Sequence, residues 1–208
     1  MTATPITIEP MSAKYNPQIG RLLVHGFRGK FLPLTNMTED DLALFFQKLL
    51  EYFPAEPASQ RMVALQEGEV IGTISVKWKP EFVVKQQQEL PSLKNFKQFG
   101  KWDLIKLLIG VSLLNHKPQA GECYIADIVV HPDHRSKGVG TLLMQWAQHF
   151  AQNDPRLKVL SLHVVGSNLR AKLLYEQLFF RTQLQQNSLA RQLFFKELKW
   201  NYMVMKLI

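Results

Sequence analysis

Arg135, Gly138 and Gly140 form an R-x-x-G-x-G pattern inside the stretch IVVHPDHRSKGVGTLLMQW, Ile128 to Trp146, where a strand-like run gives way to helical spacing. Glycine admits positive φ and lets a ligand come close to the backbone. The first N–H groups of the following helix, with its positive dipole end, would point at that ligand. Such a turn suits a phosphate or pyrophosphate, and Arg135 and Lys137 would add formal charge. The dinucleotide fingerprint G-x-G-x-x-G fails, because Leu143 stands at its third glycine, and no G-x-x-x-x-G-K-[ST] loop occurs.

Other reactive side chains are sparse. Cys123 is the only cysteine; it excludes an intramolecular disulfide, favours a reducing compartment, and with no histidine fixed beside it reads as a buried strand thiol. His131 and His134, with Asp133 between them, lack the further ligands of a metal site, so no metal is expected. His163 sits in an apolar strand-like run and reads as a core or cleft residue. The net charge of +8 favours anionic partners. No nucleic-acid reader motif accompanies it, so no nucleic acid is expected.

These residues need a scaffold, and the pattern of the chain supplies one. TPITIEP alternates like a strand, Asn16-Pro17 reads as a helix cap with proline following, and Ile19, Leu22, Leu23 and Phe27 make an apolar stripe. Thr38 with Asp41 forms a capping box for a second helix carrying Leu42, Phe45, Phe46 and Leu49. Met62 to Lys79 reads as a hairpin turning at Glu67-Gly68. Residues 80–120 read as one or two amphipathic helices, including Gln86, Gln87 and Gln88. ECYIADIVV and LKVLSLHVV read as central strands, each followed by a helix, and Leu189 to Trp200 as a short amphipathic helix before the closing strand YMVMKLI. The alternation predicts one α/β domain with a mixed sheet whose first half is antiparallel. The longest apolar run, Leu104 to Leu114, contains Lys106 and is too short to span a bilayer, and the N-terminus lacks signal-peptide character, so a cytoplasmic protein is expected.

VVHPDHRSKGVGTLL resembles the hallmark of the GNAT superfamily of acetyl-CoA-dependent N-acetyltransferases: a strand ending in V-x-P, then [RQ]-x-x-G-x-[GA], then a helix. VVGSNLRAKLLYEQLFF resembles the family's second segment, with Asn168, Tyr175 and Glu176 in place and Phe179 where the family has glycine. The resemblance implies a mostly antiparallel sheet with splayed central strands and flanking helices, and a helical insertion at about 80–120 within a single domain. It further implies that acetyl-CoA lies along the backbone of Ile128, Val129 and Val130, with its pyrophosphate on Arg135, Ser136, Lys137, Gly138, Val139 and Gly140. Thr141 would add a hydroxyl, Asn168 would hydrogen-bond the cofactor arm, and Tyr175 would stand near the thioester sulfur as general acid. An unidentified amine would be the acceptor, and a homodimer is allowed.

For the base, the resemblance favours Glu122, acting through water, with Asp127 as its rival. Strict period two sends Glu122, Tyr124, Ala126 and Ile128 to one face and Asp127 to the other, so only one carboxylate can face a given cleft. A reading of another class also stands: Lys94, Lys97, Lys101 and Lys106, interleaved with Phe96, Phe99 and Trp102, would suit a peripheral module on an anionic membrane surface with little or no catalysis.

Overall fold

A computed structural model describes residues 4–53, 57–80, 93–197 and 199–207. Among these residues seven strands form one sheet: β1 (Thr7–Pro10), β2 (Ser59–Gln66), β3 (Glu69–Trp78), β4 (Glu122–Val130), β5 (Val159–Val165), β6 (Arg181–Asn187) and β7 (Lys199–Lys206). Their order is β1-β2-β3-β4-β5-β7-β6, and only β4 and β5 run parallel. The hairpin turn falls at Glu67 and Gly68, both at positive φ, which matches the right-handed twist of the flanking strands.

Among the described residues six helices cover the two faces: α1 (Asn16–Phe31), α2 (Glu39–Tyr52), α3 (Lys101–Leu114), α4 (Val139–Gln152), α5 (Leu169–Gln177) and α6 (Leu189–Phe195). On one face Ile19, Leu22, Phe31, Leu42, Phe45 and Leu107 build a core rich in phenylalanine. On the other, Leu143, Met144 and Ala147 of α4 pack on Ile74, Cys123 and Leu160. The Thr38–Asp41 capping box forms as expected: Asp41 N–H donates to the Thr38 hydroxyl at 3.1 Å, and Thr38 N–H to the Asp41 carboxylate at 3.0 Å. At α1 the expectation fails, because Asn16 is the first helical residue and is buried, with Tyr15 in the cap position and no side-chain cap.

The 80–120 segment also departs from expectation. Residues 81–92, with the three glutamines, lie outside the described residues. A 3₁₀ segment, Leu93–Phe99, precedes α3, and Phe96 and Phe99 are 1% and 5% exposed within the phenylalanine core. They therefore do not alternate with the lysines on a surface; of that trio only Trp102 is exposed. α3 approaches closely because Gly110 meets Phe31: a Cβ there would stand 2.6 Å from the ring. At the C-terminal end the helix is shorter than expected. Lys196 adopts φ +56°, which ends α6 at Phe195, and Lys199 already belongs to β7.

Phe179, at the position where the family has glycine, takes the left-handed conformation that glycine would take, with φ +66°. The turn is kept: Phe179 N–H donates to Glu176 O and Phe180 N–H to Tyr175 O. Its conformation costs about 1 kcal/mol.

Candidate active site

The phosphate-type turn is built at the end of β4. Gly138 holds φ +82° in the N-cap position of α4, and Ser136 φ +61°. Leu142 is the first residue whose N–H is returned to the helix, bonding Gly138 O at 3.0 Å. The N–H groups of Val139, Gly140 and Thr141 thus precede the helical ladder and face outward for an anion. Arg135 Nε donates to the Val130 carbonyl at 3.2 Å, which ties its charge to the strand end. A second guanidinium, absent from the sequence reading, comes from α5: Arg170 Nη2 donates to the Ser136 hydroxyl at 2.6 Å. His131 lies between His25 and His134, at ring distances of 5.2 and 5.8 Å, beside the same turn. Burial, with positive charge from His131, Arg135 and Arg28, pushes the His25 pKa down.

Behind the turn the sheet opens. β4 and β5 pair from Glu122↔Val159 to Ile125↔Leu162 and no further. Beyond that point β4 bonds only β3, and β5 continues beside β7. On the β4 edge the backbone groups of Ile128 and the N–H of Val130 point away from β3, where a ligand between the strands could use them, while Val129 pairs with Thr73 and the Val130 carbonyl is taken by Arg135. The parting coincides with a bulge: Ser75 pairs with Asp127 and Val76 with Ile125, leaving Ala126 as the extra residue on β4.

That bulge overturns the expected alternation. Ser75 and Lys77, two apart on β3 and so on one face, pair with Asp127 and Tyr124. Asp127 therefore shares the face of Glu122 and Tyr124. Its carboxylate is already engaged, accepting from both Arg61 terminal nitrogens at 2.6 and 2.7 Å.

On this face, along the paired stretch of β4 and β5 and up to the parting at His163, the chain gathers a polar cluster. Glu122 is 2% exposed and accepts four donors: Ser161 Oγ at 2.5 Å, Tyr202 Oη at 2.8 Å, Gln119 N–H at 2.7 Å and His116 Nε2 at 3.0 Å. Burial alone would raise its pKa; these hydrogen bonds outweigh it and hold the carboxyl down to about 2. Tyr124 Oη lies 3.1 Å from His163 Nδ1. His163 is pushed down to about 4, first by burial and then by positive charge from His116 and Arg191, so its ring is neutral at neutral pH. Its Nε2 is buried without a hydrogen bond of good geometry among the described residues, and Gln186 is the further polar side chain that acts on the ring. Lys77 donates to Asn115 Oδ1, and its ammonium lies 5.7 Å from the Tyr124 ring. Burial pushes the pKa values of Tyr124 and Tyr202 up, that of Tyr202 to about 12. The His116 and His163 rings lie tilted against each other and each against Tyr124 and Tyr202, with centroids 4.3 to 6.0 Å apart.

α5 closes the other side of the opening. Its Leu174 and the Val130 side chain flank Gly140, at 3.7 and 3.8 Å from the position of a Cβ there. Asn168 caps the helix, its Oδ1 accepting from Ala171 N–H at 3.2 Å, which leaves the amide nitrogen for other partners. Tyr175 is 8% exposed, beside Phe180, and burial pushes its hydroxyl up to about 12. Cys123 faces the α4 core and is likewise pushed up to about 12, first by burial and then by the charges of Glu122 and Asp154, so its thiol stays protonated.

A strand parting from its parallel neighbour above a glycine turn is the arrangement that the resemblance implies, and comparison with known proteins gives the class. The chain resembles an acetyltransferase from Thermus thermophilus (17% identity, all of both chains covered, TM-score 0.57). It also resembles the ribosomal-protein-S18-alanine N-acetyltransferase of Escherichia coli (13%, 98% of this chain and 94% of that one, 0.55). Arabidopsis thaliana NAA60, solved with a bisubstrate analogue, is a third (15%, 98% of each chain, 0.59). At such identities these likenesses show the fold. No curated protein matches the sequence. The family model for the acetyltransferase (GNAT) family matches residues 31–180, and the chain belongs to that family. Its members are acetyl-CoA-dependent acyltransferases. Among the described residues no helix is long and apolar enough to cross a membrane.

Proposed function

We propose that residues 1–208 act as one N-acetyltransferase domain, with 80–120 as a helical insertion, moving the acetyl group of acetyl-CoA to a primary amine by direct attack in a ternary complex. The observation that carries this is the juxtaposition of three features: the parted β4 and β5 edges, the glycine turn at one end, and the neutral His163, its Nε2 without a hydrogen bond of good geometry, at the other. A buried nitrogen without such a bond is costly unless a ligand or water completes it.

In this reading the N–H groups from Ser136 to Thr141, with Arg135, Lys137 and Arg170, hold the pyrophosphate. The Ile128 backbone, the Val130 N–H and the Asn168 amide hold the pantetheine arm. Attack needs a neutral amine and a positioned carbonyl, and alignment between the strand edges supplies much of the acceleration. His163, oriented by the Tyr124 hydroxyl, receives the amine's proton directly or through water. Glu122 stays ionised at working pH, and with four donors on its oxygens it serves as an anchor. It acts on the reaction by orienting His116 and Tyr202 and drawing the proton toward the cluster. Tyr175, protonated throughout the working range, donates a hydrogen bond to the departing sulfur. The acceptor amine and a cytoplasmic location belong to the same proposal.

Thiol release from acetyl-CoA, followed over a panel of small amines, polyamines, antibiotics and peptides with free N-termini, tests it. Acceptor-dependent CoA release with stoichiometric acetamide formation on at least one class is expected. Release at the buffer rate across all classes, from protein that binds acetyl-CoA, would contradict catalysis.

A further inference from the structure

We propose that the outer face of α3 docks on an anionic lipid bilayer. This does not depend on the transferase reading. α3 buries Leu104, Leu107 and Gly110 and turns Trp102, Ile105 and Ile109 outward, at 77, 46 and 44% exposure. At spacings of three and four residues these side chains form one ridge along the helix. α6 is tied to α3 by Arg191 Nε donating to the Leu113 carbonyl at 3.2 Å. It carries Leu189 and Leu193, one turn apart and 74 and 85% exposed. The α3 ridge is a contiguous apolar strip, the exposed leucines of α6 stand on the side of that helix away from Arg191, and an exposed strip of this kind marks an interaction site.

Charge decides the partner. Between residues 93 and 120 five lysines stand against a single acidic residue, Asp103, and that one is paired with Lys106 at 3.6 Å. Lys101 and Lys106 border the ridge on either side, and α6 contains no acidic residue. A membrane surface takes apolar side chains to shallow depth, accepts tryptophan at headgroup level and attracts the surrounding lysines when its lipids are anionic. A second copy of the chain would bring like charges together, and a nucleic acid offers no bed for isoleucine and leucine.

The test uses the full chain with vesicles of phosphatidylcholine, with and without phosphatidylserine. Co-sedimentation is expected only with phosphatidylserine present, weakening as salt is raised, with a blue shift of tryptophan emission that Trp102→Phe removes. Ile105→Ser combined with Ile109→Ser should weaken partitioning about tenfold or more, as should Lys97→Glu with Lys101→Glu, at unchanged thermal midpoint. The proposal is overturned by no co-sedimentation with phosphatidylserine vesicles at low salt, or by binding that these substitutions leave intact. It is also overturned by a concentration-dependent dimer that the serine pair dissolves while vesicles bind nothing.

Discussion

His163→Ala lowers kcat/KM for acetyl transfer by about 10²- to 10³-fold, with acetyl-CoA affinity preserved, if the neutral imidazole takes the acceptor's proton. The reasoning rests on three properties of one side chain. His163 is the first residue of β5 past the last parallel pair, its Nδ1 is fixed by Tyr124, and its Nε2 lacks a hydrogen bond of good geometry among the described residues. Tyr124→Phe removes only the orienting hydroxyl and should cost about tenfold, roughly the worth of one hydrogen bond. The ring packs between Tyr124 and Tyr202, so thermal midpoints must accompany the kinetics. His163→Gln, which keeps a polar side chain of similar reach, should lose activity in the same way while remaining folded. Full turnover in either His163 variant would remove the residue from the proton path.

Glu122→Gln is expected to destabilise the fold at neutral pH by about 3 kcal/mol and to flatten its acid dependence. The native carboxyl is held at about 2 against an ordinary 4.5. A carboxyl whose folded pKa is depressed contributes stability that is fully present above the unfolded value and is lost as pH falls toward the folded one. The wild type should therefore shed about 3 kcal/mol as pH drops from about 4.5 toward about 2. His163, neutral in the fold and pushed down to about 4, works in the same direction, since its unfolded form takes up a proton below about 6.5. The difference between wild type and Glu122→Gln, followed by urea denaturation from pH 7 downward, isolates the carboxylate. It should be largest at neutral pH and shrink on the acid side. A difference independent of pH would mean that Glu122 is not the depressed anion described.

The glycine turn and its helix are legible in the sequence because they need only local residues: Gly138 at positive φ and the apolar spacing of α4. The Thr38–Asp41 cap is legible for the same reason. The polar cluster around Glu122 is not. His116, Glu122, Ser161 and Tyr202 are brought together by sheet order β4-β5-β7, and no spacing along the chain announces that a partner on β7 will reach β4. The single extra residue at Ala126 reverses the face of everything after it, so period-two counting set Asp127 against Glu122 when the two share a face. Lys196 ends α6 at positive φ without the glycine that normally signals such a stop, while Trp200 prolongs the apolar pattern of Phe194 and Phe195 beyond it. Phe96 and Phe99 looked like surface partners of lysines because their spacing is silent about Phe45, the ring they pack against.

The central claim is that the parted strands and the turn before α4 hold acetyl-CoA, and calorimetric titration of acetyl-CoA tests it most directly. One molecule should bind per chain, with affinity that weakens as salt rises. Gly138→Val should weaken it about tenfold or more, because the side chain disfavours φ +82° at the point from which the N–H groups are presented. No heat of binding with acetyl-CoA, or equal binding by the valine variant, would contradict the account.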